Sequence, residues 1–388
     1  MRIAHYIHDL DGQGGIETYV ERLGRGLTAA GHDVLYVGLR GRTGPDRLQV
    51  PDERGLYALA HRRGVDVLHL HKAVSDRPPS SLRTVRTVHD NGAACPSGSR
   101  YLSRRQMPCD RRAGLPACLL GHFVDGCGSR RPHRVRENFR RLAANRRVLP
   151  SLPTITVSQY LKDEMLGLGY PGANLRVMQS PAPDGPAAPP PLPEGPPRLL
   201  FLGRLVPEKG LDWLLRALTH LPDAVHLDVA GDGHGRPVLE ALVRSLDLSA
   251  RVTFHGWVPS PAVPPLLTAA RAVVVPSVWH EPAGLVPLEA AAYGRPSVVS
   301  AVGGLPEYAR PEYALQVSPR DEPGLAAALG RVCDDAALAA RLGRAGHQMA
   351  RTTFALSSFI HQHEQLYAAL HDDVNVPDAP SALQPNLD

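Results

Sequence analysis

The chain has 388 residues, 43% of them hydrophobic, with 43 Lys and Arg against 38 Asp and Glu for a formal charge of +5. That length suggests two domains of roughly 100–200 residues, each able to bury a core, and excludes a collagen, a disordered polymer or a small disulfide scaffold. The basic residues are 40 Arg and 3 Lys, a bias that says little about partners until the charges are placed. His5, His8 and Asp9 stand where a signal peptide needs apolar residues, and no apolar run approaches the roughly 18 residues that span a bilayer. The expectation is a cytoplasmic protein, at most peripheral at the inner membrane face. Five cysteines, an odd number, argue against a disulfide framework in such a compartment.

In the first half, apolar runs predict strands at 2–8, 34–37, 65–71, 84–89, 154–157 and 175–178. They alternate with amphipathic stretches such as Ile16, Val20, Leu23 and Leu27. Between the first strand and the first helix lies Asp11-Gly12-Gln13-Gly14-Gly15-Ile16-Glu17. Glycines there let backbone N–H groups approach an anion at a helix N-terminus, which makes Gly14 and Gly15 candidates for a phosphate-bearing ligand. Glu17 replaces the third glycine of a dinucleotide fingerprint and no Lys-Ser/Thr follows, so a plain tight turn fits equally well. Asp9-Leu10-Asp11 has the spacing of a metal clamp, and a turn with a helix-entry acid accounts for it more simply. His69 and His71 read as structural. His89, ending the next strand, is one of 18 histidines and is not singled out by position alone.

Residues 91–147 are unlike the rest. Positions 100–147 hold 13 Arg against three acids, a net of +10, which leaves −5 for the remainder. The excess reads as a solvated face or as a surface for an anionic, lipid-linked or membrane partner. Aromatic residues are too few there for a nucleic-acid stacking platform. Cys95, Cys109, Cys118 and Cys127 lie in the same segment. A structural zinc is one reading, but the Cys-x2-4-Cys knuckles of such sites are missing and the spacing favours free thiols in a loop.

Residues 181–198 are half proline and read as an extended interdomain linker. Beyond it strands are predicted at 198–203, 225–230, 252–256, 272–276, 297–301 and 314–317. The periodic set Phe359, His363, Leu366 and Leu370 predicts a helix over 353–370 able to pack back across the linker. The tail 371–388 has no period and is expected to be disordered. Strands alternating with helices in both halves imply two doubly wound parallel sheets, over 1–180 and 199–352, facing across a cleft at their carboxyl ends. Two loops there carry chemistry. Arg204 and Lys209 can converge on a diphosphate. In 277–296, Glu281 and Glu289 flank Pro282-Ala283-Gly284-Leu285, a helix entrance suited to a sugar hydroxyl or phosphate oxygen, and Glu289 can accept from both hydroxyls of a ribose.

The series Gly-Gly-Ile-Glu, Gly-Arg-Leu-Val-Pro-Glu-Lys-Gly, Ala-Gly-Asp-Gly at 230–233, Glu-Pro-Ala-Gly-Leu-Val-Pro-Leu-Glu and Gly-Gly-Leu-Pro-Glu at 303–307 resembles the retaining glycosyltransferases of family 4. The resemblance runs from residue 2 to about 370 and is strongest over 199–307. It implies the GT-B fold and transfer of a sugar from a nucleotide-diphosphate donor to an acceptor hydroxyl, with no cofactor. It assigns Gly14, Gly15, Arg204 and Lys209 to the donor diphosphate and Glu289 to the ribose. The transferred sugar falls to Glu281 with Pro282, Ala283, Gly284 and Leu285. In Thr87-Val88-His89-Asp90 it places His89 beside the reacting sugar, with Glu281 as the second catalytic candidate. The expected setting is cell-envelope glycolipid or polysaccharide synthesis. An epimerase or phosphorylase on the same fold, and a basic polyanion- or nucleic-acid-binding protein, are the alternatives.

Overall fold

In the computed structural model, residues 1–12 and 14–372 are described. The first sheet is built from β1 (Arg2–Tyr6), β2 (Asp33–Gly38), β3 (Arg47–Gln49), β4 (Val67–Leu70) and β5 (Thr84–Val88). A small antiparallel hairpin, β6 (Tyr101–Leu102) and β7 (Met107–Pro108), interrupts it before β8 (Thr154–Thr156) and β9 (Leu175–Val177). All seven strands of the sheet run parallel, in the order β3-β2-β1-β4-β5-β8-β9. The second sheet holds β10 (Arg198–Leu202), β11 (His226–Ala230), β12 (Val252–Gly256), β13 (Ala272–Val275), β14 (Ser297–Ser300) and β15 (Ala314–Val317), ordered β12-β11-β10-β13-β14-β15. This is the 3-2-1-4-5-6 order of a doubly wound domain.

Both sheets are covered on two faces, which is why their strands read as continuous apolar runs rather than as alternations. In the first, Ile3, Val67, Val85 and Ile155 pack with Leu23 and Leu27, while Ala4, Leu68 and Leu70 meet Leu56 on the other side. In the second, Leu199, Phe201, Val229 and Val274 pack with Leu214, Leu215, Leu325 and Leu329, and Leu200 and Val273 with Leu267. Each predicted strand is present to within two residues at either end. β3 was not anticipated, because a half-buried edge strand of Arg, Leu and Gln shows no apolar run.

The helix Leu356–Asp372 leaves the second domain and lies on the helix Gly15–Ala29. Phe359, Ile360, Leu366 and Tyr367 join the core of the first sheet, and a Cβ at Gly26 would stand 2.4 Å from Ile360 Cδ1. Of the predicted tail, 373–388 lies outside the described residues.

The proline-rich segment 181–197 forms no helix or strand and is tied down by groups from the second domain. Arg295, only 1% exposed, is central to this. Its Nε donates to Leu267 O at 3.0 Å, Nη1 to Pro190 O at 3.0 Å, and Nη2 to Pro191 O at 2.9 Å and Thr268 O at 2.8 Å. Prolines offer carbonyls without N–H groups, so a buried guanidinium suits them as the donor. Arg295→Met keeps an unbranched side chain and strands the carbonyls of Pro190, Pro191 and Thr268, while Leu267 O keeps Ala270 N at 3.2 Å. It should cost about 3 kcal/mol or more, read as a lowered urea midpoint together with faster proteolysis within 181–197.

Candidate active site

At the reversal of strand order in the second sheet, the loops after β10 and β13 lie side by side. Val278 N donates to Glu208 O at 2.9 Å, and Trp213 Nε1 to Pro276 O at 2.6 Å. Gly210 has φ +70°, and a Cβ there would stand 2.0 Å from Pro276 O, so only glycine lets the two backbones touch. This contact places Lys209 Nζ 2.5 Å from Glu281 Oε1, to which Ser277 Oγ also donates at 2.6 Å. Glu281 is 7% exposed. Lys209 also lies over the Trp279 ring, 5.6 Å from its centroid. Arg204 stands exposed on the same loop.

Pro282 and Gly284 are buried, Ala283 and Leu285 half-buried, and the four lead into the helix Leu285–Ala292. From behind, Gly304 N donates to Glu281 O at 2.6 Å. Glu289 is half-buried on that helix. Its desolvation pushes the carboxyl above the ordinary range, opposed by Arg22 of the first domain.

Gly15 faces this helix across the cleft, with a Cβ there only 3.1 Å from Leu285 Cδ1. The Glu17 carboxylate folds back onto the glycine turn: a Cβ at Gly14 would lie 3.0 Å from its Oε2. An anion reaching Gly14 must therefore displace that side chain. Asp9 and Asp11 pair with Arg40 at 2.9 Å and Arg42 at 3.4 Å, so each has an arginine as partner. The domains also meet directly. Asn91 Nδ2 donates to His280 O at 2.9 Å, and Glu307 accepts from Gln159 N at 2.7 Å and Tyr160 N at 2.8 Å, at the start of the helix Gln159–Gly167. Cys95, Cys109, Cys118 and Cys127 stand around a separate cavity in the 91–147 segment.

His89 is half-buried at the end of β5, and a row of imidazoles lies behind it. His89 Nε2 is 3.0 Å from His71 Nδ1, and His71 Nε2 is 3.0 Å from His5 Nδ1. His69 bonds Tyr367 Oη at 2.6 Å and Thr87 Oγ1 at 2.7 Å. Burial keeps all four neutral: it depresses His5 to about 3 and His69, His71 and His89 well below the ordinary histidine value. His5, His69 and His71 bring ligand atoms within 4.8 Å of one another, yet His69 and His71 have both ring nitrogens engaged, so the trio is a hydrogen-bonded cluster rather than a free ligand set.

The row also has a direction. Each neutral ring carries one proton, and His5 Nε2 has no partner. A buried bare N–H costs more than an unused lone pair, so His5 carries its proton on Nδ1. Nδ1–H of His5 then donates to His71, Nδ1–H of His71 donates to His89, and His89 keeps a proton on Nδ1. The sequence reading missed His5 and His71 in this role. The signal was there: His5 pairs with His69 in register between β1 and β4, and His69 and His71 share one face by the two-residue period.

Residues 13–183 match the model described as Glycosyltransferase Family 4, and residues 187–349 the model described as Glycosyl transferases group 1. Glycogen synthase from Mycobacterium tuberculosis is 32% identical over 349 residues, which cover 88% of this chain and 74% of the relative. The chain belongs to the family 4 glycosyltransferases. Among solved structures, sucrose-phosphate synthase from Thermosynechococcus elongatus superposes with a TM-score of 0.70 at 23% identity, covering 96% of this chain and 99% of that one. HepE from Anabaena, in complex with UDP and glucose, gives 0.68 at 17% identity, covering 95% and 100%. Both likenesses show the GT-B fold, with two Rossmann-like domains facing across a cleft.

In this glycosyltransferase the buried imidazoles set a sign for the response to acid. His5, at about 3, and His363, at about 4, lie below the roughly 6.5 of an unfolded histidine, so under that pH the unfolded state binds more protons. Stability should fall as pH drops from about 6.5 toward 4, by up to about 1.4 kcal/mol per pH unit for each such ring, in urea titrations at stepped pH. Long-range 1H–15N spectra at neutral pH should show the Nδ1–H form for His5, His71 and His89. The Nε2–H form would contradict the assigned direction.

Proposed function

We propose that this enzyme moves a hexosyl unit from a nucleoside-diphosphate sugar to an acceptor hydroxyl, with retention of anomeric configuration and no metal cofactor, in cell-envelope glycolipid or polysaccharide synthesis. The observation that carries the proposal is a meeting of elements at one switch point. The Arg204–Lys209 loop, the buried Glu281 and the helix entrance at Leu285 come together there, opposite Gly15 and the domain that presents His89. The solved complex of HepE with UDP and glucose, and the glycogen synthase relative, support sugar transfer from a nucleotide donor.

In this reading Arg204 and Lys209 neutralise the donor diphosphate, and the N-terminus of Leu285–Ala292 adds its partial positive charge as the leaving group becomes anionic. Lys209 then exchanges Glu281 for phosphate oxygens, and the released carboxylate takes hydroxyls of the transferred sugar. Glu289 accepts from the ribose. His89, protonated on Nδ1, is a hydrogen-bond donor beside the sugar. Contact between the two domains limits water at the reacting carbon.

For the acceptor side, five of the chain's exposed large apolar side chains fall within eighteen residues: Met107, Leu115, Leu120, Phe123 and Val124. An adjoining groove of about 500 Å³ is lined by Leu115, Leu119, Phe123 and Phe139 together with Arg136 and Arg140. Apolar groups rimmed by arginine suit an anionic lipid-linked acceptor and peripheral contact with an anionic bilayer. Among the described residues no helix is long and apolar enough to cross a membrane.

Thermal shift against a panel of UDP-, GDP- and ADP-sugars tests the donor. One nucleotide should stabilise the wild type by about 3–4 kcal/mol at 100 to 1,000 times its Kd, and Glu289→Ala should abolish most of that shift. Lys209→Ala should lower kcat by roughly 10²–10³. Absence of any nucleotide-dependent shift would overturn the proposal. Flotation with anionic vesicles should recover the protein at low salt and lose it at high salt, and Leu120→Asp with Phe123→Asp should weaken recovery at both.

A further inference from the structure

The four cysteines of residues 91–147 are 14, 9 and 9 residues apart, and chain spacing gives no reason for them to meet. They do meet. Cys95, Cys109, Cys118 and Cys127 all line one cavity of about 20 Å³, together with Arg100, Arg111, Gly121 and His122. None is in a disulfide. His122 is fully buried and both of its ring nitrogens lack a partner.

The surroundings explain what such a cavity is for. From residue 102 to 134 no described side chain joins any of the hydrophobic clusters of the molecule. The secondary structure is two-residue strands, a six-residue helix with no buried side chain and a five-residue turn of π-helix. Fixing such a length of backbone costs on the order of 1 kcal/mol or more per residue, and here there is no apolar core to offset it. Segments of this kind are held by a disulfide or a metal.

We propose that Cys95, Cys109, Cys118 and Cys127 bind one zinc ion that staples this segment. Three features select the occupant. The cavity has room for about one water molecule, which suits a single ion and is too small for a four-iron cluster. Four thiolates are the ligand set of a closed structural zinc site. Four thiolates around a divalent cation carry a net −2, and beside them Arg100, Arg105 and Arg111, set against Glu164 and Asp125, leave a net +1. No three of the sulfurs lie within 4.8 Å of one another in this chain, so binding draws them inward by rotation about Cα–Cβ to the roughly 2.3 Å of a Zn–S bond, with release of the four thiol protons to solvent.

The test uses the full chain purified under reducing conditions without added metal or chelator. Elemental analysis should give about one zinc per chain, released on titration of the thiols with an organomercurial. Cys118→Ser should lower the zinc content at least several-fold, while Cys333→Ser, in the core of the second domain, should leave it unchanged. If Cys118→Ser fails to fold, wild type stripped of metal and loaded with Co²⁺ should show the visible bands of tetrahedral thiolate cobalt. Less than about a tenth of a zinc per folded chain, iron in its place, two disulfides in the folded protein, or cobalt spectra without thiolate character would each overturn the proposal.

Discussion

At the carboxyl edge of the second sheet, the loops after β10, β11 and β13 touch backbone to backbone. Gly203 N donates to Ala230 O at 3.0 Å, Gly231 N to Gly256 O at 2.7 Å and Leu205 N to Asp232 O at 2.9 Å. At Gly231, φ is +146° and a Cβ would stand 1.8 Å from Gly203 O, so any side chain there would force the β10 loop away. Lys209 and Glu281 depend on the matching contact between the loops after β10 and β13, where Val278 N donates to Glu208 O at 2.9 Å and Gly210 abuts Pro276 O. They are 72 residues apart, and their alignment is fixed by main chain rather than by long flexible side chains. A cationic site aimed in advance loses little in reorganisation when charge develops, which is what electrostatic catalysis requires.

The first domain achieves rigidity by other means. Its cleft-facing histidine rests on buried imidazoles, and those rest on the far end of the chain. Tyr367 holds His69, Tyr19 Oη lies 3.2 Å from His363, and His32 lies 3.0 Å from Glu364. The helix Leu356–Asp372 thus connects the end of the second domain to the floor beneath His89. The same helix is a covalent and packed link between the two halves of the cleft, so its seating bears on both the orientation of His89 and the approach of the loops after β10 and β13.

The parallel strands were legible because burial on both faces leaves unbroken runs of Val, Leu and Ile. Arg204, Lys209, Glu281 and Glu289 were legible because strand-end loops in this topology face the crevice. The ion pair between Lys209 and Glu281 was not, since it arises where strand order reverses and no local pattern records that adjacency. His71 was hidden by its surroundings, because a histidine closing an apolar run reads as core until the pairing of β1 with β4, His5 against His69, brings it within reach of His5, and the end of β5 brings it to His89. Arg295 was hidden by number: in a chain with 40 arginines, composition does not mark the one that holds the proline linker. The cysteines were plain as residues and opaque as a group, because loop path determines which of them meet.

The charge of residues 100–147 now divides by use. Arg100 pairs with Glu164, Arg105 and Arg111 with Asp125, and Arg141 and Arg146 donate to the carbonyls of Pro96 and Ala113. With Arg104, which donates to Val124 O at 3.0 Å, six of the thirteen arginines tie the irregular loop to itself and to the helices Pro132–Val148 and Gln159–Gly167. Such contacts exchange bonds with water for bonds within the protein, so their net gain is small beside the ordering of more than thirty residues without a core. Arg136 and Arg140 instead line the apolar groove beside Phe123 and Phe139. The segment therefore presents an exposed apolar and cationic surface while having almost no apolar interior. Those properties are linked, since side chains turned outward as an interface are unavailable as a core, and the four sulfurs converge where that core is missing.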